Sequence, residues 1–176
     1  MQFKKTTIEG VLVVELDTKP DERGYFVRTW DSDEFKRQGL FTHIAESNVS
    51  YNKKRGTLRG MHHQKDPFAQ AKLVRCTRGK IFDVALDLRK GSPTVGKWFG
   101  IELLPDDTHL LYIPKGLAHG FQTLEDDSVI SYDMDAPFQE SASDGVRYDD
   151  PAFNIPWPLP VSVIKERDRE YPDWQP

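Results

Sequence analysis

A chain of 176 residues can close a hydrophobic core without the disulfide or metal support that becomes necessary below about 40 residues, so one domain spanning residues 1–176 is expected. The 24 Lys and Arg nearly balance the 28 Asp and Glu, and a net charge of -4 excludes both the basic surface of a nucleic-acid binder and the composition of a charged disordered tail. The single cysteine, Cys76, excludes an intrachain disulfide and a multi-cysteine zinc site; no apolar run approaches the roughly 20 residues that cross a bilayer, and the N-terminus lacks a secretory apolar stretch, so a cytoplasmic protein with no membrane partner is expected.

Twelve prolines and twelve glycines spread along the chain divide it into many short segments. Strands are expected at residues 11–16 and 25–30, both rich in β-branched and aromatic residues. Asp31 followed by Glu34 forms a capping-box pattern for a short helix over 33–38, which Gly39 closes in the left-handed conformation. Further strands are expected at 72–77, 80–88, 98–103, 110–113 and 128–134. Arg78 and Gly79 between the first two of these predict a hairpin. In the second of them Phe82, Val84, Leu86 and Leu88 alternate with Asp83, Ala85 and Asp87, the pattern of a strand with one buried face. A second short helix is expected over 165–170, stopped by Pro172. Many strands with few short helices give an all-β fold, a jelly-roll sandwich or barrel of the cupin type.

Three polar stretches interrupt this pattern. Residues 55–64, RGTLRGMHHQ, gather two arginines, two adjacent histidines and an amide. Strict alternation groups Arg59 with Met61 and His63, and His62 with Gln64; a bulge at Gly60 brings Arg59 round instead, and alternation leaves the choice between these open. Two solvated histidines on an edge strand are the plainer reading of that stretch. Residues 113–121, IPKGLAHGF, place His119 just after a Pro-Gly turn, at the start of a strand and in a stretch that resembles the second conserved cupin motif. The first motif departs from the metal-binding pattern, with Gln64 at the second histidine position and Lys72 where a cation replaces the usual carboxylate, so no metal is expected. His119 alternatively serves as a turn histidine bonded to backbone. In the third stretch, 130–138, Ile130, Tyr132 and Met134 share one strand face, where a tyrosine is more often core than catalytic.

Together, DERGYF at 21–26, SNVS at 47–50, LRGMHHQ at 58–64, AQAKLVR at 69–75, GKIFDVALDLRKGSPTVGKW at 79–98, YIPKGLAHGF at 112–121, Tyr132 and DDPAFNIPWP at 149–158 resemble the dTDP-4-dehydrorhamnose 3,5-epimerase family, in order and over nearly the whole chain. The resemblance implies a metal-independent jelly roll that needs no cofactor, and a homodimer in which N-terminal strands enter the partner's sheet and site. It also implies a dTDP-linked 4-keto-6-deoxyhexose as substrate, inverted at C3, C5 or both. Within it His62 matches the base and Tyr132 the acid. Lys72 supplies the cation for the enolate, and Asp168 is the carboxylate that orients the imidazole. Arg23, Asn48, Arg59, Gln64, His119 and Arg167 fall at substrate-contacting positions, and Phe138 falls where a tyrosine commonly stacks on the thymine. Departures lie at the periphery: Arg28 and Asp133 change charge, Ser143 or Asp144 stands at an acidic contact, Glu46 stands near a displaced Gln, and the loop at 51–56 is one residue longer. A noncatalytic sugar-nucleotide-binding cupin and an epimerase of one centre or of another nucleotide sugar are the competing readings.

Overall fold

The computed structural model describes residues 1–175. Its elements run β1 (Gln2–Lys5), β2 (Leu12–Glu15), β3 (Lys19–Asp21), β4 (Gly24–Phe26), α1 (Ser32–Arg37), β5 (Glu46–Asn52), β6 (Leu58–Gln64), β7 (Lys72–Arg78), β8 (Ile81–Asp87), β9 (Trp98–Leu103), β10 (His109–Ile113), β11 (Leu117–Thr123), β12 (Ser128–Met134), β13 (Ser143–Gly145) and α2 (Glu166–Glu170). The strands form a six-stranded sheet, β1-β2-β10-β7-β12-β5, and a five-stranded sheet, β13-β6-β11-β8-β9, with β3 and β4 as a separate ribbon. All pairings between these strands are antiparallel, and the two sheets make the expected jelly-roll sandwich.

Three apolar clusters explain the layering. Between the sheets, Val74, Cys76, Leu111 and Ile130 meet Ile81, Ala85, Leu103 and Phe121. The outer face of the larger sheet, Val14, Leu73, Leu110 and Tyr112, is covered by Phe35 of α1 and Phe41. The outer face of the smaller sheet, Met61, Val84, Leu86 and Ala118, is covered by Val146, Phe153 and Ile155 of the C-terminal segment. Each sheet is therefore covered on both faces over its central strands, while the edge strands β1 and β5 stay largely exposed.

That double burial corrects the reading of residues 80–88. The apolar side of β8 is covered as expected, but Asp83 and Asp87, on the side expected to meet solvent, are both fully buried. Asp87 is satisfied by Arg89, Ser92 and Thr94, which fold the following loop around it. The hairpin expected at Arg78 and Gly79 is also absent. β7 pairs with β10 and β12 while β8 pairs with β11 and β9, so the turn carries the chain from one sheet to the other. Strand structure at 25–30 ends at Phe26, and Val27 and Trp30 pack over the outer face of the larger sheet. α1 begins as the capping pattern requires. Asp31 accepts hydrogen bonds from the N–H groups of Asp33 and Glu34, and Gly39 at φ +72° closes the helix. β5 carries no strand signal in the sequence, because Glu46, Ser47, Asn48, Ser50 and Asn52 hide its strand character.

Candidate active site

The site begins with a backbone irregularity in β6. His119 of β11 lies opposite His62, but Phe121 lies opposite Arg59, so β6 carries one residue more than its partner over this interval. Gly60 sits at φ +133°, and a Cβ there would fall 2.5 Å from the Cα of Gly120; two glycines back to back permit the approach. The extra residue turns Arg59 and His62 to one side, where both line a cavity of about 380 Å³, while Met61 packs under the outer cover. This settles the choice that alternation left open, in favour of the bulge.

The cavity lies between the sheets. The five-stranded sheet contributes Arg59, His62 and His119, the six-stranded sheet contributes Lys72 and Tyr132, and α2 brings Arg167 and Asp168. A smaller cavity sharing His62, Lys72, Tyr132 and Arg167 extends it toward Asn48, Gln64 and Phe138. All the expected site residues except Arg23 thus line one continuous recess. Arg23 caps the exposed β3–β4 ribbon with its side chain 84% exposed and its guanidinium on Asp21 at 2.6 Å, so the structure does not bring it to the site of its own chain.

His62 and Asp168 form a buried pair, Nε2 to Oδ1 at 2.7 Å. The imidazole retains 28% of its exposure while the carboxylate is 2% exposed, so the ring faces the cavity and its partner does not face water. The N–H of Gly60 donates to Asp168 Oδ2 at 3.3 Å, tying the bulge to the carboxylate. Burial lowers the His62 pKa from its ordinary value, more than Asp168 raises it; Lys72 and Arg167 add to the lowering, and the ring is neutral at neutral pH. Burial also pushes Asp168 up, but His62, the Gly60 N–H and Arg167 outweigh it and keep the carboxyl ionised.

Facing them, Lys72 loses solvation in the cavity wall, which pulls its ammonium down to about 8 against the opposing charge of Asp83. Burial raises the Tyr132 phenol, with Arg59 acting the other way, so the group keeps its proton. His119 bonds a carboxylate and not the backbone, with Nε2 2.7 Å from Asp83 Oδ1.

The recess is braced from several elements. Arg59 donates through Nε to Asn52 Oδ1 at 2.7 Å. Gln64 spends its amide on backbone, donating to Phe68 and Pro137 carbonyls and accepting from the Gln139 N–H at 2.6 Å, which fixes the loop that presents Phe138. Glu46 accepts from the Phe138 N–H at 2.9 Å. Phe138 itself is 56% exposed at the mouth. Of the peripheral departures, Arg28 pairs with Asp31 at 2.7 Å, Asp133 accepts from the Ser47 hydroxyl, and Asp144 is held by Lys65 at 2.6 Å.

Sequence reasoning missed the wall formed by Thr57, Phe121 and residues 163–165. That last segment has no strand periodicity; it is placed by a parallel bridge from Val163 to Thr57 and by the Leu58 N–H donating to the Val163 carbonyl at 2.8 Å. Cys76 lies in the interior core with its thiol pushed up to about 11 by burial, and is not a nucleophile at neutral pH. Among the described residues no group of three His, Cys, Asp or Glu side chains gathers closely enough to hold a metal ion, and no helix is long and apolar enough to cross a membrane.

Comparison with known proteins bears on this constellation. The sequence profile of the dTDP-4-dehydrorhamnose 3,5-epimerase family matches residues 5–176. A dTDP-4-dehydrorhamnose 3,5-epimerase of Sinorhizobium fredii (strain NBRC 101917 / NGR234) is 42% identical over 173 residues, 98% of this chain and 89% of the relative. The crystal structure of dTDP-4-dehydrorhamnose 3,5-epimerase from Elizabethkingia anophelis NUHP1 superposes with a TM-score of 0.95 at 36% identity, over 99% of this chain and 96% of that one. That of dTDP-6-deoxy-D-glucose-3,5-epimerase from Legionella pneumophila Philadelphia 1, in complex with dTDP-4-keto-L-rhamnose, does so with a TM-score of 0.89 at 32% identity, over 95% of this chain and 89% of that one.

Proposed function

The chain belongs to the dTDP-4-dehydrorhamnose 3,5-epimerase family, and from that membership and the two-walled cavity we propose that it inverts C3 and C5 of a dTDP-linked 4-keto-6-deoxyhexose through an enolate, as in the biosynthesis of dTDP-L-rhamnose and related deoxysugars. The observation that carries the reading is that the proton acceptor and the proton donor stand on different sheets: His62 on the five-stranded one, Tyr132 on the six-stranded one, both lining the same space. A hexose ring between them has its two faces toward opposite partners.

The chemistry follows from those positions. The neutral imidazole of His62 takes a proton from a carbon next to the C4 ketone, and the electron pair moves into the carbonyl so that negative charge collects on O4. A positioned base of this kind contributes about 10²–10⁴-fold. The Lys72 ammonium, in a water-poor wall, stabilises that oxygen without reorganising at the moment of reaction. The Tyr132 phenol then returns a proton from the other face, and the centre is inverted. Phenolate and imidazolium reset by exchange with solvent. No oxidation state changes. Asp168 acts through His62, holding its tautomer and supporting the imidazolium.

Arg59 and Arg167 offer guanidinium groups for the diphosphate, Phe138 a face for the base, and Asn48 and His119 polar contacts to nucleotide and sugar. The position of Arg23 supports a homodimer with N-terminal strand exchange. The ribbon that carries it exposes Tyr25 and Phe26, and β5, an edge strand, exposes Val49 and Tyr51. In such a dimer the ribbon lies along the partner's β5 and Arg23 reaches the partner's site. One domain over 1–176 holds the rest of the machinery.

The test is proton NMR of dTDP-4-keto-6-deoxyglucose in D₂O with the protein. Loss of the C3 and C5 proton signals to deuterium, with appearance of the inverted sugar, is expected. Binding without exchange at either carbon contradicts the reading and marks a binding module.

A further inference from the structure

Behind the cavity wall the protein buries a charge that the mechanism above does not use. Asp83 is fully buried on β8, one strand behind His119, flanked in its inward row by the apolar Ile81 and Ala85; Asp87, the other carboxylate of that row, is satisfied by Arg89, Ser92 and Thr94, as Asp83 is not. Among the described residues its single ion-pair partner is His119, at 2.7 Å, and its Oδ2 has no hydrogen-bond partner. A carboxylate so placed is costly, and a position that served packing alone would favour an apolar residue like its neighbours. His62 and His119 form a cross-strand row on the inner face of the five-stranded sheet, and Asp83 stands diagonally behind it: His119 is opposite His62 on one side and opposite Ala85, two residues from Asp83, on the other. The row ends at a carboxylate on both sides, Asp168 behind His62 and Asp83 behind His119.

We propose that Asp83 is the positioning residue of the enolate-binding half of the site: its carboxylate fixes the His119 ring toward the sugar and supplies the negative charge behind the wall that Lys72 shares with His119. The inference rests on the reading of Lys72 as the cation that faces the enolate. Burial works against that cation, and Asp83 is the anion that opposes the loss. The other groups around Lys72 do not supply one. His62 and His63 of β6 are both held below the ordinary imidazole value by burial, and Tyr132 of β12 keeps its proton. Arg59 and Arg167 are cations, and Asp168 is engaged by His62.

Asp83→Asn separates the two roles, because an amide oxygen still accepts from His119 while the charge is gone. The readout is the protonation of Lys72 itself, followed by competitive acetylation with acetic anhydride across pH and peptide mass spectrometry, which requires no turnover. Removing the anion lowers the midpoint of Lys72 by about one unit. At pH 7.5, with the midpoint moved from about 8 to about 7, the charged fraction falls roughly threefold, and kcat falls with it more than KM rises. An unmoved Lys72 midpoint overturns the proposal. A midpoint that moves while the alkaline limb of turnover stays in place leaves Asp83's hold on the charge standing and overturns instead the placement of Lys72 at O4. Should Asp83→Asn lose the wild-type melting transition, Asp83→Glu reads the same claim, since it keeps the charge: its Lys72 midpoint stays at or above the wild-type value, and a fall of one unit contradicts the proposal.

Discussion

In the proposed reaction His62 must be neutral to accept a proton, Lys72 charged to hold an enolate, and Tyr132 protonated to return hydrogen, and burial with specific partners favours all three states at neutral pH. The consequence is a bell-shaped dependence of turnover on pH. The rate rises as His62 deprotonates, with a midpoint below the ordinary imidazole value, and falls near pH 8 as Lys72 loses its proton. Tyr132, raised by burial, does not titrate in this range. Initial rates from about pH 5 to about pH 9.5 check this, and an acid limb at or above 6.5 contradicts it. Asp168→Asn removes an anion that raises the His62 pKa, so the acid limb moves further down while kcat falls by roughly 100-fold or more through loss of the tautomer and of support for the imidazolium. A drop in kcat with an unmoved limb would leave Asp168 a packing role only. At this scale the sequence pointed to a stretch that lines the cavity but not to its geometry. Which of the two adjacent histidines faced inward was open, because alternation assumes no extra residue. Asp168, 106 residues from His62, has no local pattern and was legible only through the family resemblance. Asp83 read as a solvent-facing residue because its neighbours alternate.

Elements carry those residues into place, and the bulge in β6 is the decisive one. Gly60→Ala meets a strained φ of +133° and a Cα 2.5 Å away, so it costs roughly 2–3 kcal/mol and displaces Arg59 relative to His62. Denaturant midpoints measure the first effect and KM the second; wild-type values of both would show that the close approach of β6 and β11 is not required. Strand positions were largely readable, since 98–103 and 128–134 match β9 and β12 and the capping signals place α1 within a residue. Pairing was not. The turn at Gly79 looks local but joins two sheets, and nothing between Thr77 and Ile81 records which neighbours β7 and β8 will find. Edge strand β5 escaped for the opposite reason: its polar side chains serve the site and the exposed edge, so the usual strand composition is missing.

At the scale of the whole molecule, sandwich class was legible from punctuation and strand count, whereas the covering of the outer faces of the central strands depends on how distant segments wrap them. Arg23 is the residue that a single chain leaves unexplained, and the proposed dimer makes it testable by complementation. When Arg23→Ala and His62→Ala chains are mixed and allowed to exchange subunits, half the dimers are mixed, and each mixed dimer regains one site with its own His62 and the partner's arginine. Activity of about a quarter of wild type is then expected from two poorly active parents. Activity no greater than the mean of the parents contradicts strand exchange into the partner's site. The central claim, that acceptor and donor flank the sugar from opposite sheets, is tested most directly by comparing deuterium exchange with inversion in two variants. His62→Ala is expected to abolish exchange at both carbons, while Tyr132→Phe is expected to keep exchange and lose inversion. Equal and complete loss of both signals in the two variants, each folded and binding dTDP, would contradict the account.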